Sequence, residues 1–101
     1  MIMAEIDVEF VDLVTEFLES SRDLREAAEM TNDDPIKQDM IKGVIDDFLE
    51  VTRRSEAIRL LVETSYSENR EYILSELKDI TKINKSISIS IRKKLAPLAW
   101  N

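Results

Sequence analysis

Residues 73–98 read ILSELKDITKINKSISISIRKKLAPL. Inside them Ser86-Ile87-Ser88-Ile89-Ser90-Ile91 alternates polar and apolar as a half-buried strand would. The wider window favours a helix. At 100° per residue, Ile73, Leu77, Ile80, Ile83, Ile87, Ile91, Leu95 and Leu98 share an arc of about 120°, and only Leu74 and Ile89 lie clearly off it. A lone strand would also leave its backbone amides unpaired, because the chain has no second strand candidate. One helix over about 67–96 is expected, with Pro97 ending it and 97–101 forming a tail.

The same reading extends backward through two breaks. Thr31-Asn32-Asp33-Asp34-Pro35 offers Asn32 as a left-handed terminator, Asp34 as a cap, and Pro35 at a first helical position, where no amide hydrogen is needed. Ser65-Tyr66-Ser67-Glu68 carries capping-box spacing between Ser65 and Glu68, with Ser67 as the competing cap. Between the breaks, Ile6, Phe10, Leu13, Phe17, Leu24 and Ala27 keep helical time, with Ser20 as the polar member of the row. Val11, Val14 and Leu18 widen that face. In the middle segment Met40, Ile41, Val44, Ile45, Phe48, Val51, Ile58 and Val62 share one side. Gly43, at its edge, reads as a close helix crossing, and Ser55 as a small residue easing packing.

The expected fold is therefore all-α: one helical domain over 1–101, with helices at about 5–31, 35–64 and 67–96. Short turns make neighbours antiparallel, giving an up-down-up three-helix bundle. The apolar arc of the first helix exceeds what one seam requires, so assembly into a larger helical bundle as a homodimer is expected.

Composition removes much chemistry. The 101 residues contain no histidine, no cysteine and one glycine, which leaves no imidazole base, no thiolate, no ordinary zinc or haem site and no phosphate-cradling loop. No cofactor is expected. Apolar runs are too short for a membrane span, and the acidic start lacks a signal-peptide pattern, so a cytoplasmic location is expected.

The net charge of −7 is unevenly spread. Residues 1–50 balance to −11 and residues 51–101 to +4. In the first helix Glu5, Glu9, Asp12, Glu16, Glu19, Asp23 and Glu26 form an acidic stripe. In the third, Lys78, Lys82, Lys85 and Arg92 form a basic row, with Ile89 in the vacant heptad position as an apolar anchor ringed by charge. Trp100, beyond Pro97, either covers the bundle end or anchors a partner.

These faces predict a small protein-interaction module, an adaptor, partner-specific chaperone or inhibitor, that binds through the acidic stripe and the basic face. Its expected partners are proteins, including a second copy of itself. A second reading makes the basic face of helix three a nucleic-acid contact; the low pI of about 4.6 opposes it. A third sets Glu16 and Glu19 against Asp47 and Glu50 as Mg²⁺ ligands, as in all-helical nucleotide pyrophosphatases. The helical wheel opposes that, since Glu19 and Glu50 point away from their core faces. No catalytic or metal residue is assigned, and the chain is not expected to be an enzyme.

Overall fold

The computed structural model describes residues 6–99, all of them in helices, turns or short irregular segments, with no strand among them. The protein is all-α. Helix α1 (Val8–Glu29) starts on Asp7, whose side chain accepts the Phe10 amide at 3.2 Å. A short α2 (Pro35–Met40) follows, then a single 3-10 turn (Lys42–Val44), then the long α3 (Ile45–Ala99). Asp34 caps α2 as its sequence position implies, accepting the amides of Ile36 and Lys37 at 3.1 and 3.2 Å. The left-handed residue of that turn is Asp33, with φ 61°, and not Asn32. A short side chain that bonds locally tolerates this conformation, and Asp and Asn are near equivalents in that respect.

A straight helix of 55 residues would be about 82 Å long, whereas the longest extent of the molecule is 62 Å. The chain folds back within α3 at Ser65, whose φ −156° and ψ 49° are non-helical. The Asn69 amide donates to the Ser65 carbonyl at 2.9 Å and to its hydroxyl at 3.0 Å, holding the reversal. The first arm (45–64) therefore lies against the second (66–99). Arg54 and Glu76, 22 residues apart in sequence, meet through paired bonds of 3.0 and 2.5 Å, and Arg54 also reaches Asp79 at 2.6 Å.

Three further sequence expectations need correcting. The middle helix is not continuous over 35–64: the backbone leaves α-geometry at Ile41 and tightens through Lys42–Val44. Gly43 sits inside that tight turn and is exposed. A Cβ placed on it would meet nothing within 4 Å, so it marks no helix crossing. Pro97 does not end the third helix, which continues to Ala99. Proline's fixed φ suits a helix, and the one bond it forfeits, to the carbonyl of Lys93, falls at an exposed residue near the helix end where water can take its place. The alternating stretch 86–91 is helical throughout.

Two apolar clusters make the core. Leu24 and Ala27 of α1, Ile41 and Val44 of the connecting turn, and Ile87, Ile91 and Leu95 of the second arm form one. Val51, Ile58, Ile73, Leu77 and Ile80 form the other, with Phe10, Leu13 and Phe17 of α1 packed against it. Ile83 touches both and joins them. Leu74, placed off the apolar arc by the wheel, is nonetheless buried. No helix among the described residues is long and apolar enough to cross a membrane.

Candidate functional site

The acidic stripe and the basic row flank the same seam of one chain. Asp7 pairs with Arg70, Glu9 with Lys78, and Asp23 with Arg92, so α1 runs alongside the second arm in the same direction. The distances are 2.8 Å for Asp23–Arg92 and 3.9 Å for Glu9–Lys78. Each of these two pairs is separated by 69 residues, and within each row the partners are one heptad-multiple apart, as in the flanking charges of a parallel coiled coil. The same offset aligns Glu16 with Lys85, a pair that does not close to 4.0 Å.

Of the remaining candidates, Glu26 lies 3.9 Å from Arg22 on its own helix. Asp12, Glu16, Glu19, Lys82 and Lys85 are exposed. Among the described residues none of these five has an oppositely charged partner within 4.0 Å. Ile89 is 65% exposed, as its place off the apolar arc requires. Glu5 and Trp100 lie outside the described residues.

A clamp at the Asp7 end was not visible in the sequence. Asp7 accepts from Arg70 at 2.7 and 3.1 Å and from the Tyr66 hydroxyl. Arg70 also reaches Glu9 at 3.1 Å. The Arg70 guanidinium, then the Tyr66 hydroxyl, hold the Asp7 carboxyl far below the ordinary carboxylate range. Burial, then the Asp7 bond, push the Tyr66 phenol upward. The Tyr66 ring meets Phe10 edge-on, with centroids 5.0 Å apart. These contacts bind the start of α1 to the reversal at Ser65.

A polar layer crosses the middle of the same seam. Asn84, 1% exposed, donates to the Ser20 hydroxyl at 3.2 Å and to Ser21 at 3.0 Å. Thr81 and Ser88, one turn to either side, are buried as well. The side-chain oxygens of Thr81, Asn84 and Ser88 have no hydrogen-bond partner among the described residues. Ser20, the polar member of the α1 stripe, was the sequence signal for this layer.

Beside the polar layer an apolar groove of about 430 Å³ opens between α1 and the first arm. Phe17, Leu24 and Arg25 line it from α1, and Ile45, Phe48 and Thr52 from the first arm. Asn84, Ile87 and Ile91 of the second arm form its floor. Phe48 and Ile45 are about half exposed, at 47% and 48%. The half-buried Ser55 lines the groove too, and its hydroxyl is satisfied by the Thr52 carbonyl at 2.9 Å. The groove is concave and apolar with few polar groups, the general character of a binding site.

The four candidate Mg²⁺ ligands are not assembled. Asp47 and Glu50 border a small cleft of about 200 Å³ with Ile83, Ser86 and Ile87, and no residue of α1 contributes to it. Among the described residues no three carboxylates gather closely enough to hold a metal ion.

No family model, curated protein or solved structure matches this chain.

Proposed function

We propose that the protein is a helical interaction module, an adaptor, partner-specific chaperone or inhibitor that acts by binding and not by chemistry. In this reading the chain is one up-down-up three-helix unit that works in the cytoplasm and pairs with a second copy. The observation that carries the proposal is the open groove between α1 and the first arm, with Phe48 about half exposed at its mouth. Exposed apolar surface of this kind costs free energy in water and is retained on monomers chiefly where something binds.

The charged faces contribute differently from each other. Arg92 and Lys78 have carboxylates of α1 beside them, which leaves Lys82 and Lys85, with Ile89, as the part of the basic face without an ion-pair partner among the described residues. A nucleic-acid role draws less support, since the sequence pI of about 4.6 opposes it and two cations of the basic row, Lys78 and Arg92, already have acidic partners. Paired pull-downs test the proposal. The wild-type chain, Phe48→Glu and the Lys82→Glu/Lys85→Glu double variant serve as baits in a native extract. A protein retained by the wild type and lost with one variant set supports the reading and names the face; identical retention by all three baits refutes it.

A further inference from the structure

We infer that the groove between α1 and the first arm, together with its apolar lips, is the face on which a second copy of this chain docks. The inference rests on the homodimer reading above and gives it a location different from the charged rows. Both walls of the groove rise to large apolar side chains that are about half exposed among the described residues. Leu18 is 59% exposed on the α1 lip, and Phe48 and Leu49 are 47% and 56% exposed on the opposite lip beside Ile45.

The area is of the right size for self-association. About half of each of these four side chains, with the groove interior, amounts to on the order of 400 Å² of apolar surface. A standard stable interface buries about 800 Å² per partner, a little over half of it apolar. A two-fold axis presents the same patch on both copies, so each groove receives the other's lips and neither is left open.

Charge agrees with this arrangement. Arg22 and Arg25 are the basic residues of an otherwise acidic α1, and Arg25 lines the groove. The groove face of the first arm, Ile45, Phe48, Val51, Thr52 and Ser55, carries no charged side chain of its own. Arg25 has no ion-pair partner within 4.0 Å among the described residues. The unpaired Arg25 guanidinium on the groove wall is thus available to a carboxylate of the facing copy.

The competing contact between copies is ionic: Asp12, Glu16 and Glu19 of one against Lys82 and Lys85 of the next. Salt separates the two, because it screens exposed charge pairs and does not weaken apolar contact. Light scattering on the full chain at low and high salt decides. The expected result is a mass twice the 11.7 kDa of the chain, unchanged or favoured as salt rises. Phe48→Glu and, from the other lip, Leu18→Glu are expected to give the single-chain mass with helical circular dichroism retained, and Ile89→Glu to stay dimeric. If a charged variant loses helicity, Phe48→Ala is judged by the same mass and is expected to shift toward the single chain.

A dimer that survives the lip variants and dissociates with salt, or with Lys82→Glu/Lys85→Glu, overturns the groove assignment while the homodimer stands. A wild-type chain that is monomeric under all conditions overturns both.

Discussion

Replacing Asn84 by leucine is expected to stabilise the protein, although it deletes two hydrogen bonds. The amide of Asn84 donates to Ser20 at 3.2 Å and to Ser21 at 3.0 Å, while its carbonyl oxygen is buried without a partner among the described residues. Two neutral side-chain bonds contribute about 2 kcal/mol together. Their loss strands little: the Ser20 hydroxyl keeps its bond to the Phe17 carbonyl at 2.7 Å, and Ser21 borders the groove. Against this, removing an unpaired buried acceptor returns about 1–3 kcal/mol, and the added apolar carbon contributes about 0.8 kcal/mol per group. The balance favours leucine by about 1 kcal/mol. Asn84→Asp should move the other way by about 3–5 kcal/mol, because it buries a charge with no counter-ion. Burial raises that carboxyl's folded pKa, so the loss should shrink as pH falls and the group protonates. Urea unfolding followed by circular dichroism measures both. A leucine variant less stable than the wild type by more than about 1 kcal/mol would refute the reasoning and show that the polar layer is net stabilising.

Three further outcomes follow from the contacts described. A double-mutant cycle on Arg54→Ala and Glu76→Ala should return a coupling of about 1–3 kcal/mol, since the pair is bidentate and about four-fifths shielded; an additive cycle would place the pair among exposed ones. The depressed Asp7 carboxyl contributes stability that is complete above its unfolded pKa near 3.8 and is lost as pH falls below it. Unfolding curves from pH 6 to pH 2 should therefore show a fall that Asp7→Asn flattens, and an equal fall in both proteins would clear Asp7 of the effect. Asp34→Ala removes the acceptor for two α2 amides and should cost about 1 kcal/mol, read as a shift in urea midpoint with an unchanged slope.

The features legible from sequence are those set by neighbours along the chain. Asp34 before Pro35 and the serines around residue 65 mark real breaks, because capping and proline chemistry act over three or four residues. The alternating 86–91 stretch resolves as helix once Ile73 to Leu95 are read on one wheel. The charged rows show the limit. Glu9 and Asp23, and Lys78 and Arg92, are visible as stripes, but which stripe faces which depends on the rotation of two rods about their axes. Their common heptad spacing was the available signal that they flank one seam. The groove was less legible still, since it arises where α1 and the first arm both lean on the second arm without closing on each other.

The contacts also differ in how far along the chain they reach. Arg54 finds Glu76 across 22 residues, whereas Asp23 finds Arg92 across 69. Closing the longer loop costs about 1 kcal/mol more in chain entropy, and contacts distant in sequence form late. The two arms that meet around Ser65 are thus expected to fold first, with α1 docking afterward on a surface already built. The charged seam that joins it is then the last part of the molecule to form, and the part whose formation salt should slow.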